Sequence, residues 1–391
     1  MSPEALVPNL LALTAQALSL AFVLFVVGVP LVAWAERKQA ARIENRRGIG
    51  GTAIAEISLV GLLQPLADAL KLLSKRGPSP THSGQGVQVL FSALVLSVTV
   101  VAFAAIPWSG RYVFGDGSFS LILADVEMGV LFIFALLALS ALVTVWAGMK
   151  GGIRSRVGTF RLAARSLSGE LALLLALLPM LMIYGSLRLG DMVAWQDTSF
   201  SPLGAWNLLA QGSGSLSGLN LGLPAWGVLL NPLAFILVLT AASLRLGLAP
   251  FDAERGEAEL EAGPRGAFSG PGLGFLALAA RLELLLVAAL VTLIFFGGWA
   301  IPWLPQATLV AVLAEFIGAW LANAICLGLH LAVFLLKLSG VVFLELLIRS
   351  ALPRFDHART MDLCWKILMP AAVVDIVFTA AVLFQLGGAP G

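Results

Sequence analysis

Charge is what this sequence has least of. Only 12% of its 391 residues are Asp, Glu, Lys or Arg, against roughly 25% in an ordinary globular chain. Hydrophobic residues make up 59% and mean hydropathy is +0.95. So few charges cannot coat a soluble surface of this size. A soluble enzyme, a disordered chain and a nucleic-acid binder are all excluded as defaults. Length would otherwise have suggested two or three soluble domains at ~150 residues each. Cysteine and histidine are almost as scarce. Cys326 and Cys364, with His82, His330 and His357, stand far apart, so they form no CxxC, zinc or iron–sulfur ligand pattern. No metal site is expected, and any redox centre the protein serves belongs on another chain. The 24 basic and 22 acidic side chains nearly cancel, leaving a formal +2.

Long apolar runs are what remains. A transmembrane helix needs ~20 mainly apolar residues, and eight stretches qualify: 10–34, 87–107, 121–148, 163–187, 225–247, 271–299, 328–349 and 364–386. The fold expected is therefore an all-α polytopic membrane protein forming one membrane domain over 1–391. The first stretch has neither a basic leader nor a small-residue cleavage site, so it reads as a span. Basic residues cluster in every second connection: Arg37 to Arg76 after the first span, Lys150 to Arg161 after the third, Arg245 to Arg281 around the fifth connection, and Arg349 to Lys366 before the last. The positive-inside rule puts these connections in the cytoplasm and both termini outside. A ninth apolar stretch, 307–327, contains Glu315 and Asn323. A full crossing there would carry the 349–366 cluster outside, so it reads as re-entrant, interfacial or an extension of its neighbour. Residues 56–75 carry Gln64, Asp68, Lys71 and Lys75 at helical spacing among leucines, the pattern of an interfacial amphipathic helix.

Ionisable groups inside spans are costly and mark ion pathways or paired contacts. Asp125 and Glu127 open the third span; Arg165 and Glu170 lie in the fourth, Arg281 and Glu283 in the sixth, Asp375 in the eighth. His330, Lys337 and Glu345 share one face of the seventh. Such a set suits proton handling in a helix bundle. Mutual neutralisation across helix contacts is the structural alternative. The second concentration of charge is the cytoplasmic loop 249–270, where Asp252, Glu254, Glu257, Glu259 and Glu261 face Arg255 and Arg265. Loops of this kind line sites or dock partners.

That loop resembles the signature of the H subunit of NADH–quinone oxidoreductase, respiratory complex I. Ala249-Pro250-Phe251-Asp252, Glu257-Ala258-Glu259-Leu260, Gly263 and Phe268-Ser269-Gly270 fall in register with the family pattern. Glu36-Arg37-Lys38, the block Gly61-Leu62-Leu63-Gln64-Pro65-Leu66-Ala67-Asp68, Gly297-Gly298-Trp299 and Leu352-Pro353-Arg354-Phe355 follow in the family's order. The resemblance covers roughly residues 30–385. It implies a membrane subunit that forms the floor and entrance of a quinone chamber, anchors the hydrophilic arm and couples quinone reduction to proton translocation. Quinone is then the substrate. No cofactor is expected on this chain, with FMN and iron–sulfur clusters on partner subunits. The partners implied are the hydrophilic quinone-site and iron–sulfur subunits, small membrane subunits and membrane lipid, with no nucleic acid. The location implied is the bacterial inner membrane.

By position, the resemblance assigns Glu36, Arg37, Gln64, Asp68, Phe251 and Asp252 to the quinone chamber. It assigns Glu170, Glu283, Asp125, Glu257 and Glu259 to proton relay or coupling. The chain also departs from the family. Gly48–Val60 replaces a GPNRVGP loop, and Arg245-Leu246-Gly247-Leu248 replaces a glutamate and an Asn-Arg before APFD. Arg165 stands for a glutamine and Asp375 for an asparagine, and Glu283 lies one turn beyond the usual glutamate. About 20 extra residues follow Gly298-Trp299. Two other functions suit the same residues. One is the homologous anchor of a membrane-bound [NiFe] hydrogenase or formate hydrogenlyase; the other is a stand-alone ion transporter.

Overall fold

The computed structural model describes residues 14, 16–46, 53–54, 57–58, 61, 64–75, 85–114, 117–197, 199–200, 223–252, 268 and 270–385. Among them, seven helices are long and apolar enough to cross a membrane. These are α1 (Gln16–Ile43), α3 (Gln85–Ala102, after the short α2, Gln64–Ser74), α4 (Gly129–Met149), α5 (Ile153–Tyr184), α8 (Pro271–Phe295), α10 (Ala319–Ala351) and α11 (His357–Gln385). Shorter helices are α6 (Leu189–Gln196), α7 (Pro232–Leu246) and α9 (Gln306–Ile317). The outer surface is apolar too: Trp146, Leu167 and Phe378 are each more than half exposed. Helices that are hydrophobic all round satisfy their backbones internally and meet lipid without cost. Helix α8 forms the central post, with Leu282 and every residue from Leu284 to Phe295 buried.

Four expectations change. The span 225–247 is built as a single turn, Gly227–Leu230, followed by the 15-residue α7. Asn231 breaks the run, accepting the Ala234 N–H at 2.9 Å as an N-cap, and Pro232 pre-sets the first turn. Gly247, at φ +58°, ends the helix where a side chain would be strained. Residues 121–128 precede α4 rather than open it. They run beside the preceding chain, with Trp108 N–H bonded to Leu121 O at 3.1 Å and Ala124 N–H to Ala104 O at 2.8 Å. In the 56–75 segment the helix starts only at Gln64, because Gly61 at φ +84° breaks the chain and Pro65 suits a first turn. Ile57–Ser58 instead pairs antiparallel with Ala53–Ile54. Finally, Gly318 at φ +82° divides the 307–327 stretch. Its second part extends α10, as one of the expected alternatives had it, and its first part is α9, none of whose residues is buried.

Helices α5 and α7 approach most closely at Gly169. A Cβ there would meet the Arg245 backbone at 2.8 Å, so any side chain would force the two helices apart. At its other end α7 begins beside Tyr184, whose hydroxyl donates to Ile294 O at 2.6 Å and lies against Gly227. Helix α7 therefore runs antiparallel to α5 and stops at that helix's midpoint. Its C-terminus, with Arg245, lies inside the bundle.

Candidate functional site

The expected cytoplasmic ends of α1 and α10, with the segments after α7 and α10, line an open-mouthed cavity of about 370 Å³. Its walls include Glu36, Gln39, Asp252, Arg349 and Arg354. Glu36 takes the Arg349 guanidinium at 2.8 Å and lies 3.8 Å from that of Arg281. Asp252 is buried and 3.4 Å from Arg354. Phe251 is buried against Phe355, with ring centroids 5.9 Å apart, and Phe355 N–H reaches Pro250 O at 2.7 Å. Beside this, Arg37 joins α1 to α2 through Asp68 at 2.6 Å. Gln64 stands half-buried at the start of α2. Of the six residues expected at the chamber, Glu36 and Asp252 line this cavity, while Arg37, Asp68 and Phe251 are held by the contacts just described and Gln64 begins α2.

A chain of ionic contacts leads inward. Arg245, almost wholly buried, donates to Glu283 at 3.0 Å and to Leu137 O at 2.9 Å, and its Nε lies 3.8 Å from Glu170. Glu283 also accepts the Ser140 hydroxyl at 2.5 Å. Glu345 is buried one residue from the cavity-lining Leu346 and accepts the Ser243 hydroxyl at 2.5 Å. Arg165 ties this group to the cavity, donating to Leu244 O at 3.4 Å and Phe251 O at 3.3 Å. Buried charges persist only when paired. Here one guanidinium serves two carboxylates, one more than its single charge can balance.

The match between the sequence and the NADH dehydrogenase family covers residues 15–380. The chain belongs to that family. Similar relatives from three bacteria are each named as the H subunit of NADH-quinone oxidoreductase. The one from Bdellovibrio bacteriovorus is 30% identical over 377 residues, covering 93% of this chain and 94% of the relative. The one from Geobacter metallireducens is 30% identical over 363 residues, covering 93% of each, and the one from Flavobacterium psychrophilum is 30% identical over 355 residues, covering 90% and 91%. The family match thus spans both the cavity and the ionic chain, and the protein is a multi-pass membrane protein.

Asp125 is exposed and paired with Arg188 at the opposite end of the bundle, before α4 begins. The Arg188 hydrogen bonds hold its carboxyl below the usual range. It is therefore not among the buried relay groups. Glu257 and Glu259 lie outside the described residues. The sequence reading missed Gln39, which lines the cavity and whose buried amide nitrogen and oxygen have no hydrogen-bond partner among the described residues. Helical spacing three residues from Glu36 was the available signal. It also missed Ser140 and Ser243, whose hydroxyls look like ordinary small residues in apolar helices.

Proposed function

We propose that this chain is the membrane subunit of a complex I-type NADH:quinone oxidoreductase, forming the mouth of the quinone chamber and coupling quinone reduction to proton movement. The observation that carries this reading is the closeness of a charged cavity to a buried ionic chain, in a family whose relatives bear that name. Glu36, Arg37, Gln64, Asp68, Phe251 and Asp252 border the chamber in this reading. Glu170 and Glu283 carry the proton relay, with Arg245 as their shared cation, and Glu257 and Glu259 belong to the loop that senses the chamber or docks the arm. Electrons arrive on partner subunits that hold FMN and iron–sulfur clusters, and quinone is the substrate. The chain crosses the bacterial inner membrane eight times, α7 included, with both termini outside. The relatives' names favour this reading over the hydrogenase anchor and the lone transporter.

The orphaned amide of Gln39 supplies the test. A buried amide without partners costs about 1–3 kcal/mol, a cost that a bound carbonyl or hydroxyl would remove. In the purified complex, Gln39→Leu is expected to raise KM for a short-chain quinone about fivefold or more, with assembly intact. Wild-type quinone kinetics in that variant would remove the cavity from the quinone path.

A further inference from the structure

The opposite end of the bundle holds a second cavity, mostly apolar but with three polar side chains in its wall, which the chamber and relay above do not use. It measures about 140 Å³, and its walls include Asp197, Trp299, Ala300, Gln306 and His330. That is room for several waters, since one needs about 10–15 Å³. His330 is 1% exposed. Its Nδ1 is bonded to the Tyr112 hydroxyl, the residue lines this cavity, and its buried Nε2 has no hydrogen-bond partner among the described residues. A buried ring nitrogen left without a partner at a cavity wall calls for water or a ligand there. Lys337 stands two helical turns further in, its Nζ donating to Phe296 O at 2.8 Å and to the cavity-wall Ala300 O at 2.6 Å. The Trp226 ring lies 5.1 Å from that ammonium. Asp197, within electrostatic reach of Lys337, is exposed at the outer margin. Burial on one side raises its carboxyl above the usual range.

We propose that this cavity is the outward mouth of a proton path within the chain, in which Lys337 delivers a proton to water held between His330 and Asp197. The proposal rests on the proton-coupling reading above. In the step, the Lys337 ammonium gives one proton to cavity water and becomes the neutral amine. The proton leaves past Asp197, and the amine regains one from the inner side. That side is represented on the same helix by Glu345, eight residues or about 12 Å away. Between them Leu338, Val341 and Val342 are buried and apolar. This dry segment keeps the two ends from exchanging protons freely. Such a barrier is what a pump needs between its inward and outward sites.

The intact complex in proteoliposomes tests this. Arginine keeps the charge but does not release its proton, so Lys337→Arg and Lys337→Met separate charge from proton transfer. Both are expected to lower the number of protons released per quinone reduced, with quinone reduction in detergent retained. A wild-type ratio in Lys337→Arg would overturn the role of Lys337. If the wild-type complex moved no protons, the coupling reading would fall together with the outlet. Opening of the cavity to the outside is read independently with Ala194→Cys, at the cavity wall; Cys326 and Cys364 are both buried. A charged, membrane-impermeant maleimide added outside is expected to label it. No labelling in an active complex would overturn the outward mouth.

Discussion

A single methyl group at Gly169 should uncouple this protein without changing any charge. Glycine 169 sits where α5 crosses α7. A Cβ added there would meet the Leu244 side chain at 2.6 Å and the Arg245 backbone Cα and N at 2.8 Å. The leucine can rotate away, but the backbone cannot. To reach the 3.4 Å at which ordinary contact begins, the helices must part by at least the 0.6 Å separating 2.8 from 3.4. Overpacking of this kind costs about 1–3 kcal/mol. That strain is tolerable in a bundle this extensively buried, so Gly169→Ala is expected to assemble.

The functional effect should be larger than the structural one. Arg245 moves with its backbone, and its bond to Glu283 is 3.0 Å. Lengthening it by the same amount takes it beyond hydrogen-bonding range. Misplacements of about 1 Å can cost up to about 10²-fold in a positioned reaction. The assay is the ratio of protons released to quinone reduced, in proteoliposomes holding the assembled complex. Gly169→Ala is expected to lower that ratio severalfold or more while quinone reduction in detergent persists. Gly328→Ala, on α10 with nothing within 4 Å of the added Cβ, is the matched control and should behave as wild type. A wild-type ratio in Gly169→Ala, with the complex intact, would refute the claim that Arg245 must stay in place.

Other outcomes follow from the same geometry. Glu170→Gln removes one of the two carboxylates around Arg245, so coupled proton transfer should fall while assembly survives; undiminished pumping in vesicles would contradict its role. Replacing Glu257 and Glu259 together by glutamine should weaken quinone turnover or arm docking, and wild-type rates in an intact complex would remove that loop from both. The Asp125–Arg188 pair is exposed and carries a carboxyl held below its usual range by Arg188. Its contribution is therefore present at neutral pH and lost only as pH falls through that lowered value. Asp125→Asn should speed hydrogen exchange at Val130, whose N–H is bonded to Leu187 O, without altering proton release. A pumping defect there would restore Asp125 to the relay.

How far the sequence could be read depended on the physical signal each element carries. Lipid requires length and apolarity, so long helices such as α8 and α10 were legible from hydropathy alone. Where a polar residue creates a helix end inside an apolar run, hydropathy is blind. Asn231 is one residue among leucines, yet its cap splits the fifth span. Gly318 divides an apolar run in the same way. The carboxylates Glu170 and Glu283 were legible because charge in a span is conspicuous. Gln39 was not, because an orphaned amide is defined by the partners it lacks in three dimensions.

The departures from the family pattern gain a physical explanation from the packed structure. Read one at a time, the loss of the usual glutamate on α8, the new Arg245 and the new Arg165 each look like damage to a charged site. In the fold they are one rearrangement. Glu283, one turn from the usual position, meets Arg245 at 3.0 Å. Arg245 occupies the last turn of α7, where helix carbonyls favour a cation. Arg165 reaches the carbonyls at the end of the same helix and that of Phe251, and so fixes the loop that borders the cavity. A carboxylate moved along α8 is compensated by a cation moved onto the end of α7, and Gly169 lets the two helices close on them. If that is so, restoring a single family-like residue, as in Arg245→Glu, should be worse than leaving all three altered. It would place a third carboxylate beside Glu170 and Glu283 with no cation among them. Loss of the assembled subunit from the membrane in that variant, and its recovery when Glu283 is replaced by glutamine, would show that the substitutions act as a set.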